Sequence, residues 1–322
     1  MTGPVLSPRT VRVEPPAGDV EGRAPTGGAA AAEGFLAAEG PAAAEGPAPE
    51  GRTAADGATT VTDPRAGAGS APGRVQEVAV RRVGEVFVRE LRMPGPPGPA
   101  FVLVHGAGLS SRYLLPVARR LAAHGEVLLL DLPASRGLPA PPAVLSVPEQ
   151  AELVHQVVAA SGVGEAVLVG HSMGAQVVVE LMARRPETYD RAVLVGPPVN
   201  ARERSLGRQV LRYVQSAVHE PGRVVRLVAR AYLATTTRWL LDVVPVMLAY
   251  PIEDAITRLS PHGRVVIVRG EHDALVPAHW SATLARRCGA PTEVVTVPGA
   301  AHTVLVDDPD VVVAAARAVA AP

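Results

Sequence analysis

The chain has 322 residues and a formal net charge of zero, which offers no electrostatic footprint for nucleic acid or an anionic membrane. All 31 basic residues are arginine, and the lack of lysine excludes Schiff-base chemistry and a P-loop lysine. The single cysteine, Cys288, excludes an intrachain disulfide or a cysteine metal cluster and reads as a small buried hydrophobe.

Residues 1–73 are rich in Ala, Gly, Pro and Glu and repeat loosely, as in Ala38-Glu39-Gly40-Pro41 and Ala44-Glu45-Gly46-Pro47. Such a stretch cannot bury enough apolar surface to offset its ordering entropy, so a disordered, slightly acidic extension is expected. Met1-Thr2-Gly3-Pro4 has no basic region and no suitable apolar run follows, so a cytoplasmic location is expected. No segment reaches the roughly 20 apolar residues needed to span a bilayer.

A domain is expected over 74–322. Strands are predicted at 76–83 and 85–91, joined at Gly84, and a buried strand at 100–104 follows a proline-glycine break. A helix near 114–123 precedes a strand at 126–131, and a helix at 148–161 precedes a strand at 165–169. Next come a helix over 175–183, a strand at 191–195, a strand at 264–268, a helix around Trp280, a strand at 293–297 and a last helix at 309–320. Apolar strands that alternate with helices predict an α/β fold with a mostly parallel sheet covered on both faces. The alternation breaks between 197 and 261, where the pattern is helical throughout (Val210, Leu211, Val214, Val218). An insertion there should cap the carboxyl edge of the sheet. Tyr213, Tyr232, Trp239, Leu240, Met247 and Tyr250 are its candidate pocket residues, with part of them packing the cap on the core.

The chemistry is concentrated at Gly170-His171-Ser172-Met173-Gly174, which follows an apolar strand and opens a helix. A serine between two glycines on so tight a turn is held out at the sheet edge, beside the positive end of the helix. Serine needs a base, and the base needs an orienting acid. Asp273 lies on the loop after the strand at 264–268, and His302 on the loop after the strand at 293–297. The order Ser172, Asp273, His302 suits an acyl-transfer triad, with Glu271 as an alternative acid. His272 is too close to Asp273 in sequence to reach back to it, and His171 should point away from Ser172 and support the turn. Asp131 ends a strand too early for the acid and is given a structural or substrate-loop role. Negative charge on a tetrahedral intermediate needs fixed N–H donors. Met173 N–H is the first candidate; Ala107 N–H, in His105-Gly106-Ala107-Gly108, is the second, with Gly106 behind it.

Four stretches in order resemble the α/β-hydrolase superfamily over 75–322: Val104-His105-Gly106-Ala107-Gly108, Gly170-His171-Ser172-Met173-Gly174, Gly270-Glu271-His272-Asp273 and Gly299-Ala300-Ala301-His302. The resemblance implies a doubly wound sheet of about eight strands, one antiparallel, with a lid, and carboxylester hydrolysis through an acyl-serine. Two departures stand out. Ala175 replaces a glycine common in relatives, and Asp131-Leu132-Pro133-Ala134-Ser135-Arg136-Gly137 is a looser form of a glycine-rich loop. The substrate expected is a small to medium apolar ester, with no cofactor, metal, nucleic-acid or membrane partner; the oligomeric state stays open. A thioesterase, an acyltransferase, a carbon–carbon bond hydrolase or a hydrolase-fold receptor would share these residues.

Overall fold

Runs of Val, Leu and Ile with few polar breaks can be buried on both faces, and here they assemble side by side. The computed structural model describes residues 9–13, 59–61, 74–226 and 237–321. Ten strands among them form one sheet: β1 (Arg9–Val13), β2 (Thr59–Val61), β3 (Gln76–Val83), β4 (Val86–Met93), β5 (Ala100–Val104), β6 (Val127–Asp131), β7 (Ala166–His171), β8 (Arg191–Val195), β9 (Arg264–Gly270) and β10 (Thr292–Val297). Their spatial order is β1-β10-β9-β8-β7-β5-β6-β4-β3-β2. From β6 through β10 neighbours are parallel, whereas β4 runs antiparallel to both β3 and β6. The eight strands β3 to β10 with one reversed member are therefore the sheet expected. β1 and β2 add short antiparallel edges, β1 on β10 and β2 on β3. Both lie within 1–73, and their β-branched Thr and Val residues suit pairing on an open edge. These elements all belong to the unit Met1–Pro15 with Gly57–Pro322; the unit Pro16–Asp56 lies outside the described residues.

Every residue of β5, β6 and β7 is buried, as parallel strands under helices require. The helices are α1 (Leu115–Leu121), α2 (Val147–Ser161), α3 (Met173–Arg184), α4 (Leu206–Ala217), α5 (Thr237–Ala249), α6 (Ile252–Ala255), α7 (Ala278–Arg287), α8 (Val304–Asp307) and α9 (Pro309–Ala320). Alternate side chains of the strands feed two cores. Val102, Val104, Leu128 and Leu168 meet Val154, Val178 and Leu284 from α2, α3 and α7. Phe101, Leu103, Leu129 and Val167 meet Val117, Leu121, Val312 and Ala316 from α1 and α9. The start of α2 shows how local sequence sets a boundary: Ser146 and Glu149 exchange a capping box, and Gly162 ends the helix with φ 74.

The interruption after β8 is helical where described. α4, α5, α6, a helical segment at 222–226 and two short 3₁₀ turns occur among its described residues, and no strand does. Tyr232 lies outside the described residues. No described helix is long and apolar enough to cross a membrane.

The crossing of α3 over the sheet depends on missing side chains. A Cβ on Gly174 would lie 2.3 Å from the Val104 carbonyl oxygen and 2.8 Å from that of His105. Gly174→Ala should therefore destabilise the fold by about 1–3 kcal/mol or more through overpacking. Gly164→Ala, where a Cβ meets nothing within 4 Å, should change little. Urea unfolding midpoints of the two variants check this, and equal midpoints would refute the packing argument.

Candidate functional site

β7 delivers its chain into α3 through Ser172, which has φ 53 and ψ −125. A serine in this region costs on the order of 1–3 kcal/mol and persists only where its surroundings dictate it. Here they do. The Ser172 N–H donates to the Val195 carbonyl of β8 at 2.9 Å. A Cβ on Gly170 would lie 2.5 Å from the Gly174 oxygen, and one on Gly106 would lie 3.1 Å from Ser172 Cβ. The serine is thus wedged between two backbones and turned toward a cavity, with the first residue of α3, Met173, immediately behind it.

The acid and base candidates come together. His302 Nδ1 lies 2.8 Å from Asp273 Oδ2, and both residues are buried. Asp273 Oδ1 accepts from the N–H groups of Leu275 and Val276 at 3.0 and 3.1 Å. Burial works against the charged carboxylate, yet the His302 imidazole, the backbone donors and Arg269 outweigh it and hold Asp273 below its usual range. Burial likewise opposes a charged His302, and the carboxylates of Asp273 and Glu220 more than offset it, so its pKa is raised. With Nδ1–H given to Asp273, Nε2 is the nitrogen free to accept a proton. Glu271, the alternative acid, is exposed and accepts instead from the Gly299 N–H at 3.0 Å.

Ser172 and His302 line one cavity of about 240 Å³ together with Ala107 and Gly106. Leu206, Val210 and Tyr213 of α4, Val244 and Met247 of α5, and Leu275 supply apolar wall. Of the candidate pocket residues, Tyr213 and Met247 line it, and Trp239 lines a smaller neighbouring cleft beside Met173 and His105. Tyr250 does neither: it is buried, and its hydroxyl donates to Glu180 at 2.8 Å, a core role.

The second N–H donor is narrowed by a relay. The Gly106 N–H donates to the Tyr113 hydroxyl oxygen at 2.9 Å, so that group is already engaged and Ala107 keeps the better claim. The Tyr113 oxygen lies 2.8 Å from His171 Nδ1, and because a carbonyl oxygen faces the other ring nitrogen, the Tyr113 proton points to Nδ1 of the neutral ring. His171 then carries its own proton on Nε2, 3.1 Å from the His302 carbonyl. Burial first, and the neighbouring His302 second, push the His171 pKa down to about 3, so it stays neutral. His171 supports the turn as expected, and it also fastens the loop after β10. Asp131 proves structural: its Oδ1 accepts from Ser111 N–H at 2.7 Å and its Oδ2 faces Arg89 and Arg136.

Three neighbours were not singled out from sequence. Tyr113 sits in an ordinary helical pattern, and nothing local marks its hydroxyl. Gly196, with φ 55, lets the imidazole lie flat against it; a Cβ there would be 3.0 Å from His302 Cε1. Its place after a strand end and before Pro197 was a usable signal. Arg269 is buried and donates to Val276 and Glu271 carbonyls, shaping the loop that carries Asp273.

Known proteins share this fold. Residues 101–316 match the alpha/beta hydrolase family. A pimeloyl-[acyl-carrier protein] methyl ester esterase of Xylella fastidiosa is 24% identical over 232 residues, covering 64% of this chain and 88% of that protein. LipZ of Mycobacterium tuberculosis, named as a hydrolase, is 36% identical over 155 residues, 46% of this chain and 51% of its own length. Among solved structures, a thermophilic esterase superposes with a TM-score of 0.62 at 24% identity, covering 76% of this chain and 99% of that one. An Exiguobacterium antarcticum esterase superposes with a TM-score of 0.62 at 11% identity, covering 72% and 96%. At such identities the structures speak for the fold alone.

Tyr113→Phe would strand the buried Gly106 N–H and remove the donor to His171. A loss of roughly 1–3 kcal/mol in unfolding free energy is expected for such an orphaned group. Unchanged stability by chemical denaturation would show that the relay holds nothing.

Proposed function

We propose that this chain, which belongs to the alpha/beta hydrolase family, is a serine hydrolase that cleaves small to medium apolar carboxylic esters. The observation that carries the reading is the 2.8 Å His302–Asp273 pair opening onto the same cavity as a serine on a strained strand-to-helix turn. Structural glycine turns have no need of a buried imidazole and carboxylate at their side. The apolar wall supports an acyl or alkyl group as the part of the substrate enclosed.

In this mechanism the Ser172 hydroxyl gives its proton to His302 Nε2 as Oγ attacks the ester carbonyl carbon. Asp273 holds the ring and stabilises its charged form. The oxyanion is met by N–H groups of Met173, at the start of α3, and Ala107. Collapse breaks the bond to the alkoxy group, which leaves with the proton from His302. Water then repeats the sequence on the acyl-serine and releases the acid. No cofactor or metal enters these steps.

Ser172→Ala should lose turnover on the order of 10⁶-fold, by analogy with serine-protease triads, and should lose labelling by a fluorophosphonate probe. Because His302 must be neutral to accept a proton, kcat/KM should rise with pH through the raised pKa of this histidine and level off above it. A panel of acyl esters and thioesters of rising chain length defines the substrate. Near-normal esterase activity in the alanine variant would end the assignment.

A further inference from the structure

Beyond Asp273, one more carboxylate reaches the base. We propose that Glu220, carried by the helical insertion, is a positioning residue that fixes the loop of His302 and supports its charged form during turnover. The inference rests on the serine-hydrolase reading of the site.

Glu220 lies just beyond α4, in a turn closed by its own N–H to the Ala217 carbonyl at 3.1 Å. Its Oε1 accepts both the N–H and the hydroxyl of Thr303 at 2.8 and 2.5 Å. Thr303 is buried and follows the base directly in the chain. Two bonds from one oxygen to one residue fix the backbone on the far side of His302, where the Asp273 contact cannot act. The other oxygen, Oε2, is buried, and the Asp307 side chain is the carboxyl group that this carboxylate acts on besides the base loop.

The same end of α4 grips the acid loop. His219 stacks on His272 with ring centroids 4.4 Å apart and planes at 17°, and the Ser216 hydroxyl donates to the His272 carbonyl at 3.4 Å. Arg223 reaches Asp307 at 3.5 Å. Acid and base loops come from different strands, and this turn of the insertion touches both. It can therefore set the approach of Asp273 to His302 as well as the position of the imidazole over the cavity.

The charge matters separately from the bonds. Glu220 is a source of negative potential at His302, alongside Asp273. It also acts, after burial, to push Asp307 up to about 6, with Arg223 opposing. The titratable or charged groups facing this cluster are Asp273 and His272 from the acid loop, His171 from the elbow, Asp307 beyond the base, and His219 and Arg223 from the insertion.

Two substitutions separate the effects. Glu220→Gln keeps an acceptor for Thr303 and removes the charge; Glu220→Ala removes both. With an ester substrate, E220A should lower kcat roughly 10-fold with little change in KM, since small misplacements of catalytic groups are costly. E220Q should recover most of that kcat, while the acid limb of its pH–rate profile moves to lower pH, because a less supported imidazolium loses its proton sooner. A purely structural role would lower the melting temperature and leave that limb in place. Wild-type kcat in E220A, or an unmoved limb in E220Q, overturns the proposal; should E220A fail to fold, the E220Q limb decides alone. Fluorophosphonate labelling run in parallel keeps the two readings apart. Labelling that persists in S172A removes the site and this proposal together, whereas serine-dependent labelling with an unmoved limb removes only the role of Glu220.

Discussion

The structure turns on one crowded crossing, where α3 passes over the ends of β5 and β7 with almost no room between backbones. Gly174 lies against the carbonyls of Val104 and His105, and Gly170 against Gly174 itself. That closeness drives Ser172 to positive φ and holds it there. An unusual conformation of a serine is unfavourable by itself, so the energy must come from the packed sheet and helix around it. Val177, Val178 and Leu181 of α3, all buried against the strands, supply it. The rigidity of the core is thus converted into the exposure of a single hydroxyl, and every loop that serves that hydroxyl is measured from this crossing.

Much of this was legible in sequence because it follows from composition over short windows. Strands 100–104 and 191–195 are apolar runs next to proline or glycine, and 76–83 is a valine-bearing segment that ends at Gly84; the structure has all three at those residues. Ser172, Asp273 and His302 could be chosen because each lies just past a strand, and strand ends are readable. What stayed hidden depends on contacts between distant segments. Tyr113 looks like any core aromatic until Gly106 and His171 are seen on either side of its hydroxyl. Glu220 looks like a solvated charge until the turn after α4 is laid on Thr303. Tyr250 erred the other way: an aromatic in the insertion suggested a pocket wall, but the buried Glu180 carboxylate draws its hydroxyl into the core. The edge strand β1 was beyond reach as well, since a five-residue segment in a Pro- and Gly-rich stretch gains its pairing from β10, far away in sequence.

The insertion does two jobs with one helix. Leu206, Val210 and Tyr213 of α4 face the cavity, while the turn after its C-terminus contacts the loops of both the acid and the base. Leu206 and Val210 are also about half exposed, so the cavity opens along this helix. On the function proposed, an ester entering there would pass the same element whose final turn holds Thr303.

Three imidazoles lie close together and buried at this rim, and the arrangement works only if they behave differently. His105 accepts from the Leu132 N–H at 2.9 Å and is held neutral, mainly by burial. His171 sits in a relay whose donors and acceptors leave no place for a second proton. His302 alone of the three is hydrogen-bonded to a carboxylate, and it alone is raised in proton affinity, whereas burial outweighs the pull of Asp131 on His105 and of Asp273 on His171. Environments that push like groups apart in this way assign their roles. The two neutral rings serve as fixed hydrogen-bonding parts of the scaffold, and a positive charge arising at the rim is directed to His302, which lines the same cavity as Ser172. Were His171 to charge instead, its Nδ1 would turn from acceptor to donor, and the buried Tyr113 hydroxyl would have to turn its own proton away from the partner it has now. A neutral His171 therefore keeps the Tyr113 relay in a single arrangement.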